Sequence, residues 1–383
     1  MADRTKRESG FSLLEMIIAM ALGMIVLGAA VQLYTQGVGA TFKVSQRAEM
    51  QQDFRAASNM VLRDLSMAGA GLGNNTAIAL PSAATPRYGC DQSTCHLGAA
   101  NTSPGLYPLQ SATPYFYGLL PGFQQGPTIH TGYPTDTITV AYTDTNFYLN
   151  CYTATVTSLG VVQFGPPASP ATFPPTGCLP NGVTSPQAVN DSVVGLTIGD
   201  LVYVSLSGNP VVVEVTGAPT TTGTNTYSVP FANNDVLKMN QTVAGKGLNA
   251  AAVNNAGTNP TRVFVITYYI DNTLNPPRLM RQVSGHTPMP VAENVVYMQF
   301  NYDLFNDSTN SVAVACSNPG AAADGCSGAS TGLPPNEVTK INIAHMAMNS
   351  TLKGAQGGFQ GLDLVTSVSA RDLTYNNSYP IGP

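Results

Sequence analysis

Hydrophobic residues dominate the start of the chain and pass directly into an amphipathic segment. No Asp, Glu, Lys or Arg occurs from Met16 through Phe42. A helix of about 20 apolar residues spans the roughly 30 Å hydrocarbon core of a bilayer, and residues 11–34 supply that length. The pattern therefore predicts a membrane-spanning helix near the N-terminus.

Beyond the uncharged stretch, apolar residues recur every three or four positions, which is the spacing of one face of an α-helix. These residues are Met50, Phe54, Ala57, Val61, Leu65 and Ala68. Gly69, Gly71 and Gly73 follow, and glycine favours the left-handed conformation in which helices end. We therefore predict one helix over residues 11–70 that spans the membrane with its first half and packs on a globular domain with its second.

After residue 70 the pattern changes to short runs rich in β-branched and aromatic residues, which is typical of β-strands. The predicted strands are 137–142, 147–156, 200–206, 211–216, 262–270, 278–283, 295–304, 338–348 and 362–371. Asn209-Pro210 and residues 271–277 separate two pairs into hairpins, while residues 74–134 form a long connector that contains short strands. The predicted fold is α+β: a long helix on a largely antiparallel, loop-rich domain of residues 71–383.

Residues 10–15, Gly-Phe-Ser-Leu-Leu-Glu, lie between a short, mildly basic leader and the uncharged stretch. A secretory signal peptide is cut after its apolar region, so a cut at this point would keep the hydrophobic segment in the mature protein. The segment resembles the prepilin peptidase site of type IV pilins and type II secretion pseudopilins. The resemblance implies a leader of residues 1–10, cleavage between Gly10 and Phe11, and methylation of Phe11. An ordinary N-terminal signal anchor is the alternative.

Glu15 is an acid inside an apolar helix, where insertion of a charge costs about 2.5–3.5 kcal/mol. The resemblance implies that Glu15 becomes the fifth mature residue and neutralises the Phe11 amine of a neighbouring subunit. The alternative is that Glu15 lies near the helix end and reaches the lipid headgroups.

Charged residues make up only 10% of the chain, which contains 37 Gly and 28 Pro. A typical protein has about 25% charged residues. The neutral polar surface that this composition implies suits an extracellular filament component better than a cytosolic enzyme. The net charge of −5 provides no basic footprint for nucleic acid.

The six cysteines all follow the membrane segment and form three sequence-adjacent couples. These are Cys90 with Cys95, Cys151 with Cys178, and Cys316 with Cys326. An exported domain would hold them as disulfides, and we expect nearest-neighbour pairing because each couple flanks a Gly-, Pro- or Asn-rich stretch. No Cys-x-x-Cys occurs, and His96 beside Cys95 does not complete a tetrahedral ligand set, so we predict neither a metal nor a cofactor.

Catalytic patterns are weak. Residues 328–332 fit the Gly-x-Ser-x-Gly pattern around Ser330, but Pro334-Pro335 occupy the place where a nucleophile elbow needs a helix. The histidines are scattered, and His345, in an apolar strand, is expected to be packed in the core. We therefore predict no catalytic residues, with a membrane-anchored exported enzyme as the alternative of a different class.

Two further segments, residues 63–69 and 291–302, resemble the helix end and a strand of PilW-type minor pilins; the strand also resembles J-type minor pseudopilins. The resemblance implies a non-enzymatic minor pilin, located in the inner membrane as a precursor and then in an extracellular pilus or a periplasmic pseudopilus. Its implied partners are the prepilin peptidase, the inner membrane, and other pilin subunits through the N-terminal helix. A type II secretion minor pseudopilin and a major pilin are the alternatives, although major pilins are commonly much shorter.

Overall fold

The computed structural model describes residues 10–72, 78–79, 87–97, 115–129, 132–158, 160–168, 172–206, 209–233, 235–240, 260–306, 311–319, 327–328, 335–353, 359–370 and 373. Within these residues a long N-terminal helix is followed by antiparallel sheets. The α+β fold class predicted from the sequence is confirmed.

The helix α1 spans Leu13–Ser66, a length of 54 residues. At about 1.5 Å per residue it is a rod of about 80 Å. The turn after it contains Gly71 at φ +74°, where a Cβ atom would lie 1.9 Å from the Thr143 hydroxyl oxygen. Glycine is therefore required there both for the backbone conformation and for space. Gly73, the last glycine of the predicted helix end, lies outside the described residues.

The strands of the described residues form the remainder of the fold. In chain order they are β1 (Ile78–Ala79), β2 (Tyr115–Phe116), β3 (Leu119–Gly122), β4 (Thr137–Thr143), β5 (Thr153–Ser158), β6 (Val161–Gly165), β7 (Leu201–Leu206), β8 (Asn209–Glu214), β9 (Thr220–Gly223), β10 (Thr226–Pro230), β11 (Thr261–Asp271), β12 (Arg278–Val283), β13 (Met289–Glu293), β14 (Val295–Asn306), β15 (Ser311–Cys316), β16 (Ser327–Gly328), β17 (Val338–Lys353) and β18 (Phe359–Ser369).

These strands form a two-stranded, a four-stranded, a five-stranded and a seven-stranded sheet. The two-stranded sheet is β1-β2, the four-stranded order is β5-β6-β10-β9, and the five-stranded order is β16-β15-β14-β17-β18. The seven-stranded sheet has the order β13-β12-β11-β4-β3, with β7 also paired to β11 and β8 paired to β7. The three short strands β1, β2 and β3 lie within the predicted connector of residues 74–134.

Two sequence predictions in this part are wrong. Residues 147–156 do not form one strand, because Leu149–Cys151 form a 3-10 turn and β5 begins only at Thr153. The predicted hairpin of β7 and β8 is confirmed, but Asn209-Pro210 is the start of β8 and not the turn. A proline is accommodated there because β8 pairs on one side only, with β7.

The second half of α1 packs on the sheets, with contacts to β13, β17 and β18. All six residues of the predicted apolar stripe are buried: Met50, Phe54, Ala57, Val61, Leu65 and Ala68. They share a core with Ile138 and Ile266 of the seven-stranded sheet and Phe300 and Ile343 of the five-stranded sheet. Burial of each larger side chain contributes about 1.5–3 kcal/mol, so this face fixes the helix to the domain.

A buried charge reinforces this packing. Asp64 is only 5% exposed, and its Oδ2 accepts hydrogen bonds from the Tyr268 hydroxyl and from Arg281 Nε, each at 2.7 Å. Burial and the nearby carboxylate raise the pKa of Tyr268, which therefore stays a donor. Asp64 thus ties the end of α1 to β11 and β12.

The hairpin of β7 and β8 is shared by two smaller cores. Val202, Val204 and Val213 face the core of the four-stranded sheet. Leu201 and Val212 face a core on the other side, which also holds residues of the seven-stranded sheet. The hairpin is apolar on both faces because both faces are covered.

Two disulfides, Cys90–Cys95 and Cys151–Cys178, close loops in the described residues. Cys316 is also disulfide-bonded. Cys326 lies outside the described residues, so its pairing with Cys316 stays a prediction.

A pair of buried acids lies at the end of β8. Glu214 and Asp235 are almost fully buried, and their side chains are hydrogen-bonded to each other. The Leu237 backbone N–H donates to Glu214 Oε2 at 2.8 Å, and Gln92 Nε2 donates to Oε1 at 3.4 Å. Desolvation is the main cause that raises the pKa of Glu214 to about 8. Glu214 is therefore protonated at neutral pH.

We expect Asp64→Ala to lower the free energy of unfolding by about 2–3 kcal/mol, because Arg281 and the buried Tyr268 hydroxyl both lose their acceptor. Chemical denaturation of the full-length chain in detergent measures this change. Asp53→Ala, at an exposed position of the same helix, is the control and should change stability by less than about 0.5 kcal/mol. Equal effects of the two variants would show that Asp64 does not anchor the helix.

The Glu214–Asp235 pair predicts a pH-dependent stability. The folded pKa of Glu214 lies above its ordinary value of 4.5. The contribution of Glu214 to the free energy of unfolding is therefore fully present below pH 4.5 and is lost as the pH rises to about 8. Glu214→Gln keeps a hydrogen-bonding side chain but cannot ionise, and should flatten this decline by about 1.4 kcal/mol per unit of pKa shift removed. Denaturation at pH 5, 7 and 8.5 compares the slopes, and parallel curves would contradict the prediction.

Candidate functional site

The first turn of α1 is closed by two residues of the predicted processing segment. The Ser12 side chain accepts a hydrogen bond from the Glu15 backbone N–H at 3.2 Å. In return, Glu15 Oε2 accepts from the Ser12 backbone N–H at 2.9 Å and from the Ser12 hydroxyl at 3.1 Å. This reciprocal arrangement is a capping box, and it places the carboxylate at the positive end of the helix dipole.

The role of Ser12 was missed in the sequence-based reasoning, although the Ser-x-x-Glu spacing of residues 12–15 signals a capping box. Both partners follow the Gly10–Phe11 bond, so cleavage at that bond leaves the box intact. Glu15 therefore has a partner within its own chain, in addition to the two possibilities considered from the sequence.

The Gly10–Phe11 junction is accessible among the described residues. Phe11 is 91% exposed, and a Cβ atom added at Gly10 would meet no atom within 4 Å. The space around Gly10 within the chain therefore does not require a glycine.

The apolar half of α1 has no partner within the described chain. The large apolar side chains from Phe11 to Tyr34 are exposed, and the first buried side chain of the helix is that of Met50. Residues 13–45 thus project from the domain over about 50 Å. Within the described residues α1 is the one helix that is long and apolar enough to span a membrane. So large an apolar surface requires lipid or other apolar helices around it.

The remaining predicted residues lie apart from this segment. The bridges Cys90–Cys95 and Cys151–Cys178 lie in the β-rich part of the chain.

His345 is not a packed core residue, contrary to the expectation from the sequence. Its side chain is 52% exposed and pairs with Asp363 at 3.1 Å. Across the described parts of the chain, no cluster of three His, Cys, Asp or Glu is arranged to hold a metal. Ser330 lies outside those parts.

The comparisons with known proteins bear on the same N-terminal segment. Residues 5–31 match the family model of the prokaryotic N-terminal methylation motif. The match contains Gly10, Phe11 and Glu15. No curated protein and no solved structure matches the chain. The motif indicates the class of type IV pilins and pseudopilins, and together with the apolar helix it fits a membrane-anchored precursor.

The geometry gives Glu15 the role of capping its own helix, whereas pairing with a neighbour's amine is the role that the resemblance implies. We expect Glu15→Val to insert in the membrane, since it removes a costly charge, but to enter filaments poorly. Glu15→Gln retains an acceptor oxygen for Ser12 but not the charge, and should be similarly impaired.

Ser12→Ala is the matched control, because it removes the hydroxyl of the box at a cost of about 1 kcal/mol and retains the carboxylate. Immunoblots of membranes and of sheared filaments give the incorporated fraction of each variant. A Ser12→Ala variant as impaired as Glu15→Gln would mean that Glu15 acts as a cap.

Proposed function

We propose that this chain is a minor type IV pilin of the PilW type, a structural subunit that enters or initiates a pilus filament. One observation carries the proposal: a methylation motif continues into a helix whose apolar half is uncovered and whose second half is fixed to the domain. An anchor of this kind holds the precursor in the inner membrane and then packs among the helices of other subunits.

In the proposed mechanism, the prepilin peptidase hydrolyses the Gly10–Phe11 amide and releases the leader. The new Phe11 amine is then methylated and remains positively charged. Glu15 of an adjacent subunit pairs with this amine, so that neither charge stays unpaired in the apolar interior of the filament. Both Ser12 bonds go to Glu15 Oε2, which leaves Oε1 for the neighbour's amine. Cleavage and methylation are done to this chain by other enzymes; the chain itself is not an enzyme.

The β-rich part would face outward from the filament and support initiation, tip display or contact with surfaces. The PilW-type assignment is supported by the resemblance of residues 63–69 and 291–302. The first segment contains Asp64, which ties α1 to the sheets. The second overlaps β14, which lies between β15 and β17 in the five-stranded sheet.

A minor pseudopilin of type II secretion is the second candidate, because the methylation motif is shared by both classes. Gene neighbourhood and a deletion strain separate the two. Loss of pili with intact protein secretion supports the pilin, and the reverse result supports the pseudopilin. Abundance in sheared filaments near that of the main subunit would instead indicate a major pilin.

Processing is the direct test of the proposal. Mass spectrometry of the mature chain should find an N-terminus at methylated Phe11, and Gly10→Val should block the cut because its branched side chain crowds the peptidase. Gly23→Val, the same substitution within the apolar helix, is the control and should be processed normally. A mature chain that begins at Met1, or one cut after Ala30, would exclude the pilin class.

A further inference from the structure

The last strand of the five-stranded sheet presents a long open edge. β18 pairs with β17 on one side and with no other strand of the described residues. Its 11 residues correspond to about 35 Å of strand. The outer side of an edge strand carries unpaired backbone N–H and C=O groups, which are a template for another strand.

The other sheet edges in the described residues are short or interrupted, as is usual in soluble proteins. β9 and β16 have four and two residues. β3, β8 and β13 each contain a proline, and β5 has six residues and an irregular register. β18 is therefore the longest edge strand in this part of the structure.

β18 itself has none of the usual protection. It contains no Pro, Lys or Arg. Its one charged residue, Asp363, is paired with His345. The register of the β17–β18 strand pair shifts because β17 contains extra residues, so β18 itself stays regular between positions 361 and 369. Nothing in the composition of this strand opposes the approach of another backbone.

The side chains of β18 define the strand that would fit beside it. Positions 361–369 alternate strictly between exposed and half-buried. Leu362, Leu364 and Val368 face inward and pack against the core that also contains the end of α1. Among the described residues no strand lies beyond them, which leaves them half-buried. An added strand with apolar side chains on the same face would complete their burial.

We propose that β18 is a docking edge for an extended, alternately apolar segment of another pilus subunit, which joins the five-stranded sheet as a sixth strand. The inference rests on the proposed function. Backbone hydrogen bonds supply the affinity, and the apolar residues beside Leu362, Leu364 and Val368 set the register. Pairing of β18 with β18 of a second copy fits less well, because a twofold contact gives a closed dimer, whereas a filament needs contacts that continue. The other edge strands of a second copy are short or interrupted and offer β18 a poor partner.

Hydrogen–deuterium exchange tests the docking edge. The full-length chain in detergent is compared with the same chain in sheared filaments. Amides of residues 361–369 on the open edge should exchange at least about tenfold more slowly in filaments, since each gains a hydrogen bond. The edge strand β9 is the internal control and should exchange equally in both.

Three outcomes would overturn the inference. Equal exchange of β18 in both samples, with the chain present in filaments, would refute the docking edge alone. Absence of the chain from filaments would refute the proposed function and the docking edge together. Protection that grows with the concentration of the purified chain would identify a second copy as the occupant.

Two variants of β18 make the same test independent of exchange. Thr366→Lys puts an ammonium group on the inward face, where the open edge lets it reach water but a docked strand would bury it. It should lower incorporation into filaments about tenfold or more. Ser367→Lys points to the exposed face and should leave incorporation unchanged. Thermal unfolding in detergent establishes that both variants fold, and equal incorporation of the two would contradict a docked strand.

Discussion

The unbroken helix α1 is the constraint on which the rest of this structure depends. A helix satisfies its own backbone hydrogen bonds, so one element can lie in lipid at one end and against protein at the other. Its docked half, held by the apolar stripe and by Asp64, determines the direction in which the apolar half projects. The position of Glu15 relative to the sheets is therefore set by packing about 75 Å away along the same rod.

Each end of α1 contains an acid, and the two acids have different structural roles. Asp64 is buried and accepts hydrogen bonds from Arg281 and Tyr268. Glu15 is exposed in the isolated chain and is held by Ser12 at the helix start. A cap of this kind keeps the carboxylate at the N-terminus of the helix, next to the Phe11 amine that processing would create. Capping is thus compatible with the assembly role that we propose for this side chain.

Local patterns in the sequence determined much of the fold. The helix, its buried stripe and the strands β4, β11 and β14 were all readable because periods of 3.6 and 2 residues are properties of neighbouring positions. The methylation motif is local as well, and so is the Ser-x-x-Glu box that was overlooked. Strands β9 and β10 were not predicted, since their Thr- and Gly-rich sequences resemble loops when no partner strand is known.

Tertiary structure decided what depends on distant pairs. Arg281 meets Asp64 across 217 positions, and the pKa of Glu214 is raised mainly because folding removes its carboxyl group from water. The strand order that leaves β18 at an edge follows from its pairing with β17 and from the absence of another strand beside it in the described residues. Residues 147–156 look like a strand but contain a 3-10 turn. Sequence periodicity reports which face of an element is apolar, whereas only the packed chain determines what covers that face.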